Sequence, residues 1–164
     1  EHAHAMALDG ISFLSADVSS TAFGREHPAD RSTLALRPTQ IAEFADLVED
    51  VIARKAEDFQ SGFVAESPDK LRRLPRYYAA LAGLSPFPRS ACNAPYMSVV
   101  VEANGSVRPC FFHKPVGNLR DLTLTRIVER NLPAFRQTLD MDGDPVCKRC
   151  VCSMKTSWRR APWH

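Results

Sequence analysis

Three of the chain's five cysteines stand within six residues, in CysLysArgCysValCys at 147 to 152. Thiols so crowded must close a disulfide, hold a metal, attack a substrate or ligate an iron-sulfur cluster, and each choice asks for a different fold around it. At 164 residues, 45% hydrophobic and 24% charged, the chain can bury a core and does not need disulfides to hold it. Five is an odd number of cysteines, and the first residues lack the basic start, apolar middle and small-residue cleavage site of a leader. A reducing, cytoplasmic setting is expected, and there clustered cysteines bind metal more often than they pair. No apolar run approaches the ~18 residues of a spanning helix. A net charge of +2 is too small to imply nucleic acid or an anionic surface, so neither nucleic acid nor membrane is an expected partner. Nucleophilic catalysis is poorly supported, because no histidine and carboxylate can be matched to one thiol.

Residues 1 to 83 read as alternating strand and helix. GluHisAlaHisAlaMetAlaLeuAspGly reads as the last turns of a helix stopped at Gly10, which suggests a chain cut from something longer. IleSerPheLeuSerAla (11 to 16) follows as a buried strand. Asp17, Ser19 and Ser20 sit just past its end, where α/β folds carry functional loops; capping of a turn is the equal alternative. Pro38 opens a helix whose stripe is Ile41, Phe44, Ala45, Val48 and Ile52. Phe59 to Ala65 suits another short strand. Ser67-Pro68 is a cap followed by a first-turn proline, and Leu71, Leu74, Tyr78 and Leu81 form a stripe ending at Gly83, with Pro75 a threat to its continuity. The alternation predicts an α/β layer with a parallel sheet, and Pro86 and Pro88 mark a junction.

Beyond Cys92 the character changes. Two β-rich runs flank Asn104-Gly105, which predicts a hairpin with a two-residue turn, Ala103 opposite Ser106 and Cys110 opposite Val99. That turn would carry Cys110 towards Cys92. ValGlyAsnLeu (116 to 119) reads as a turn, and a helix with Leu124, Ile127 and Val128 is interrupted by Pro133 and resumes with Phe135 and Leu139. Cys147 and Cys150 have the spacing of a knuckle that aims two sulfurs at one ion, and Cys92 with Cys110 completes a four-thiolate set. The 17-residue gap of the first pair is wide for a zinc knuckle, and tetrahedral zinc and a [4Fe-4S] cluster both remain open. Arg108, Lys148 and Arg149 either favour the thiolates or are solvated loop cations. The tail, SerTrpArgArgAlaProTrpHis (157 to 164), is either a contact for a substrate peptide or a loosely ordered cationic terminus.

CysAsnAlaPro (92 to 95), AsnGlySerValArgProCys (104 to 110), ValGlyAsnLeu, a helix and CysLysArgCys together resemble the SPASM domain that follows the barrel of many radical SAM enzymes. Twelve residues separate Cys92 from Gly105 and four separate Gly105 from Cys110, which agrees with that family's order and spacing. AlaLeuAspGlyIleSerPheLeuSerAlaAspVal is similar, more weakly, to a late helix and strand of the radical SAM partial (β/α) barrel. The resemblance implies an α/β chain, α+β overall: residues 1–88 as the C-terminal part of the barrel, and 89–164 as a SPASM-like domain with a β-hairpin and helices. It implies Cys92, Cys110, Cys147 and Cys150 as ligands of an auxiliary [4Fe-4S] cluster. Cys152 is an alternative ligand, a neighbour of the cluster or a bystander, His113 is a weaker substitute ligand, more often a surface residue, and Gly117 and Asn118 shape a turn beneath. Two departures stand out. The CxxxCxxC that binds the S-adenosylmethionine-cleaving cluster is not in the sequence, and five cysteines stand where the full pattern has seven, enough for one auxiliary cluster. S-adenosylmethionine and a second [4Fe-4S] cluster are therefore expected on a missing N-terminal half, with a peptide or protein as substrate.

Overall fold

A computed structural model describes residues 1–23, 25–28, 30, 34–89, 91–152 and 154–155. The tail at 157 to 164, with its two tryptophans, lies outside the described residues. The chain divides into two compact units: Glu1–Ala16 with Arg31–Pro88, and Asp17–Asp30 with Arg89–His164. The architecture is α+β. No helix among the described residues is long and apolar enough to cross a membrane.

In the first unit, helices do most of the work. Helix α1 (His2–Ala5) is short, and the chain leaves it through Ala7 at φ 52°, well before Gly10. Gly10 instead permits close approach: a Cβ there would lie 3.1 Å from the Phe63 carbonyl oxygen. The expected strand at 11 to 16 reduces to one parallel bridge, Ile11 to Val64, made by Ile11 N–H to Phe63 O (2.7 Å) and Ala65 N–H to Ile11 O (2.9 Å). With a single bridge and no sheet around it, Phe13 and Leu14 are exposed, contrary to the buried strand their apolar character suggested. Ser12 Oγ and Phe13 N–H turn to the buried Glu66 carboxylate, each at 2.8 Å. Phe59, expected in a strand, belongs to helix α3 (Ala56–Gln60), and Val64 alone bridges. A radical SAM barrel is therefore not displayed by this unit.

The two long helices follow the sequence closely. Helix α2 (Pro38–Arg54) starts at Arg37, whose N–H is held by the Gln40 side chain at 3.0 Å, and it buries Ile41 and Val48. Helix α4 (Pro68–Leu81) starts at Ser67, whose hydroxyl accepts the Lys70 N–H at 3.3 Å, and it ends before Gly83 at φ 76°. Pro75 does not break it: the ring is buried, and tertiary packing holds the turn that lacks its N–H. Val48, Leu71 and Leu74 make the core, with Phe44, Val51, Ile52 and Phe59 packed around them. Arg72 of α4 grips Glu49 of α2 with both arms of its fork, at 2.7 and 2.9 Å.

The second unit is built on a three-stranded antiparallel sheet, β1 (Val100–Val101), β2 (Ser106–Arg108) and β3 (Gly117–Asn118), in that order. The hairpin is present, but its register differs by one residue from the expected one: Val100 faces Arg108 and Val101 faces Val107. A three-residue loop closes it. Only Gly105 of that loop takes positive φ (86°), while the Asn104 side chain accepts the Ser106 N–H at 3.0 Å. Extended outward, this register sets Cys110 towards Ser98 rather than Val99. Gly117 and Asn118, read as a turn, form the third strand, and the turn follows them, with the Leu122 N–H on the Asn118 carbonyl at 3.0 Å. A Cβ at Gly117 would lie 2.8 Å from two atoms of fully buried Ile127, so only glycine lets the strand pass so close to the helix.

That helix runs without a break past Pro133. It is α6 (Leu124–Arg126), a π-helical turn (Ile127–Asn131) and α7 (Leu132–Thr138) in continuity. The Leu132 N–H bonds the Ile127 carbonyl, five residues back, and this wider turn accommodates a proline that has no N–H to give. Asn131, in the π turn, donates to the Val116 carbonyl at 2.6 Å, and Ile127 and Leu132 are wholly buried.

Loss of Leu71 in the first core, as Leu71→Ala, is expected to destabilise by about 2–5 kcal/mol. In the second unit, Arg108→Met removes the guanidinium from the buried Glu102 carboxylate, a loss of about 3–5 kcal/mol. Urea titration followed by circular dichroism measures both. An Arg108→Met midpoint equal to that of the parent protein would refute the second.

Candidate metal centre

The cysteines reach one region of the second unit by three routes. Cys92 precedes helix α5 (Ala94–Met97), and Asn93 N–H bonds the Met154 carbonyl at 2.9 Å, which draws the segment after Cys152 back onto it. Ser98 Oγ, at the end of α5, lies 2.8 Å from the Ala94 carbonyl and 3.0 Å from that of Pro109, tying the Cys92 segment to the Cys110 arm. Arg136 of α7 donates to the Pro95 carbonyl at 2.9 Å, and Tyr96 Oη donates to the Leu139 carbonyl at 2.9 Å, so the helix leading towards Cys147 is fastened to α5. Helix α8 (Pro145–Lys148) then presents Cys147. Asp144 caps it, one carboxylate oxygen accepting the Val146 and Cys147 N–H groups at 2.9 Å each.

All five cysteines are half-buried and none is disulfide-bonded. Three of the sulfurs accept backbone N–H groups from just downstream: Cys92 from Ala94 at 3.4 Å, Cys110 from Phe112 and His113, and Cys150 from Cys152. Such N–H dipoles stabilise a thiolate without carrying charge. Cys147 differs. Its sulfur bonds the Asp144 side chain and lies 3.4 Å from His113 Nε2.

Three of the thiols, Cys110, Cys147 and Cys150, have their pKa values raised. Burial pushes Cys147 up to about 12, reinforced by the Asp144 carboxylate and by Cys110 and Cys92. Burial also pushes Cys150 up to about 12, against the Cys152 N–H and with Cys152, Cys92 and Cys110 adding to it. Cys110 moves up for the same reason, with smaller contributions from Cys92 and Asp144. Each of these three thiols thus feels Cys92, and Cys110 acts on both Cys147 and Cys150. The four expected ligands are linked through Cys92 and Cys110, and Cys152 acts on Cys150.

The expectation that Arg108, Lys148 and Arg149 favour the thiolates does not hold. Arg108 is spent on Glu102 at 2.7 Å and on the His113 and Thr21 carbonyls at 2.8 and 3.1 Å. Lys148 and Arg149 are exposed, and among the described residues no cation is a cause of the Cys147 and Cys150 shifts. His113, read as a surface residue, is 4% exposed, its ring edge-on to Phe135 at 5.0 Å. Burial lowers its basicity, partly offset by Asp144. Asp17, Ser19 and Ser20 resolve as a capped turn: the Asp17 carboxylate accepts the N–H groups of Ser19 and Ser20 at 3.0 and 3.1 Å and pairs with Arg25.

Asp144 escaped the sequence reading, although AspPro ahead of a helix is a cap signal that could have found it. Among the described residues, His113, Asp144 and Cys147 bring one donor atom each within 4.8 Å of one another, and no three cysteine sulfurs do so. A tetrahedral zinc with Zn–S near 2.3 Å needs sulfurs about 3.8 Å apart. Four thiolates could hold either a tetrahedral zinc or a multi-iron cluster.

The geometry agrees with the comparisons. The family model of the SPASM domain, an iron-sulfur cluster-binding domain, matches residues 92–151. No curated protein and no solved structure matches the chain. The match begins at Cys92 and takes in Cys110, Cys147 and Cys150, the same thiols that the second unit gathers. Residues 92–151 are thus similar to the SPASM iron-sulfur cluster-binding domain, over rather more than a third of the chain.

Proposed function

We propose that Cys92, Cys110, Cys147 and Cys150 ligate one auxiliary [4Fe-4S] cluster, and that the chain is the C-terminal portion of a radical SAM/SPASM enzyme. The observation that carries the reading is the N–H-to-sulfur bonding at Cys92, Cys110 and Cys150, in thiols that Cys92 and Cys110 link to Cys147. When bound, the cluster supplies an electron-rich anchoring centre. The chain's own residues hold the sulfurs, exclude water and donate N–H groups to them. In the whole enzyme this centre helps to position a peptide or protein substrate for hydrogen-atom abstraction. The CxxxCxxC triplet, its [4Fe-4S] cluster and S-adenosylmethionine belong to the N-terminal half that partners it, so the 164 residues alone do not generate the 5′-deoxyadenosyl radical. Free thiols and an oxygen-sensitive cluster suit the reducing cytoplasm. The competing reading is a non-catalytic zinc module with four cysteine ligands.

Anaerobic reconstitution with iron and sulfide is expected to give a brown protein with about four irons per chain. Serine at Cys92, Cys110, Cys147 or Cys150 lowers the iron content sharply, whereas Cys152→Ser keeps it. A colourless protein holding one zinc overturns the cluster.

Proton release sets the pH dependence of the metal-free chain. The unfolded thiols ionise near 9.0, whereas Cys147 and Cys150 stay protonated to about 12 in the folded state. The folded pKa values are raised, so the stability tied to them is intact below pH 9 and is lost as pH rises from about 9 towards 12. Urea midpoints of metal-free protein at a series of pH values test this. A midpoint that stays flat across that window contradicts it.

A further inference from the structure

We infer that His113 is the side-chain hydrogen-bond donor to the centre, its Nε2–H bonding the Cys147 sulfur and raising the reduction potential of the bound cluster. The inference deepens the reading above and rests on Cys147 being a ligand. His113 is fixed from several directions. Its backbone N–H donates to the Cys110 sulfur, its carbonyl accepts from Arg108 at 2.8 Å, and its ring packs on Phe135 at 5.0 Å. That leaves Nε2 3.4 Å from the Cys147 sulfur, buried from water.

A metal-bound thiolate has no proton and can only accept, so the imidazole must carry hydrogen on Nε2 in the loaded protein. Asp144 Oδ1 lies 3.8 Å from the same nitrogen but already accepts the Val146 and Cys147 N–H groups at 2.9 Å each. The sulfur is therefore the nearer partner for that hydrogen. Cys92, Cys110 and Cys150 receive peptide N–H groups, and His113 supplies to Cys147 what the backbone supplies to the others. A donor at a ligating sulfur draws electron density from the cluster and favours its more negative, reduced state.

The experiment compares the reconstituted 164-residue chain with His113→Leu, which removes the donor, and His113→Gln, which keeps an N–H of similar reach. Iron content, circular dichroism and the midpoint of an electron paramagnetic resonance redox titration are measured for each. The expected result is equal iron in all three, a more negative midpoint for His113→Leu, and a midpoint near that of the parent for His113→Gln. An unchanged midpoint in His113→Leu overturns the inference, as does loss of iron from a folded His113→Leu, which would make the histidine a ligand. If His113→Leu does not fold, His113→Asn, whose amide falls short of the sulfur, takes its place in the comparison. Cys147→Ser separates the two levels of the argument. Full iron and an unaltered spectrum there remove the ligand reading and this inference with it, while an iron-poor Cys147→Ser beside an unchanged His113→Leu midpoint overturns this inference alone.

Discussion

The buried Arg108–Glu102 pair is the constraint on which the second unit depends. Both side chains are about 5% exposed, and a charge so far from water is tolerated only when paired and hydrogen-bonded. Arg108 meets that condition with its whole fork: Nε on the Glu102 carboxylate, one terminal nitrogen on the His113 carbonyl and the other on the Thr21 carbonyl. A single guanidinium thus joins the hairpin, the chain just past Cys110 and the loop at 17 to 30. Because the planar fork fixes directions as well as distances, the knuckle from Cys110 to His113 is held rigidly. Lysine, whose three N–H donors share one nitrogen, lacks the spread of Nε and the two terminal nitrogens that reach these three partners.

The same economy explains why the centre lies where it does. The helix from Leu124 to Thr138 is anchored at one end by Ile127 beneath Gly117 and at the other by Arg136 on the Pro95 carbonyl. The π turn between them adds a residue to the helix without ending it, so Pro133 is absorbed and the helix continues to the loop where Asp140 and Asp144 redirect the chain. Each anchor acts on a segment that carries a cysteine or leads to one.

Much of this was legible in the sequence where the signal is local. Pro38 and Ser67-Pro68 mark true helix starts, and the apolar stripes through Val48 and Leu71 face a core, because capping and periodicity depend on neighbours a few residues away. Asn104-Gly105 marks a true hairpin, but the register was off by one because Asn104 uses its side chain to cap Ser106 instead of adopting positive φ. The run at 11 to 16 misled because an apolar stretch does not disclose whether a sheet exists for it to join. His113 was misjudged for a related reason: its burial depends on Phe135, twenty-two residues on, and no local pattern announces that contact. The role of Arg108 was not legible, since Glu102, His113 and Thr21 come to it from different parts of the chain.

The electrostatics of the cysteine set give the metal its role in the fold. Burial above all, then neighbouring thiols and Asp144, opposes ionisation of Cys110 and Cys147, and burial with neighbouring thiols opposes that of Cys150. Backbone N–H groups help three of the sulfurs, but dipoles alone leave the upward shifts in place. Were these thiols to bind iron as thiolates, the compensating charge would come with the metal, and binding free energy would then be folding free energy at this end of the unit. A surrounding of lysines would have stabilised thiolates without metal and exposed them to oxidation. Burial outweighs the N–H groups at Cys110 and Cys150, so in the metal-free fold both are held as thiols, the less reactive form.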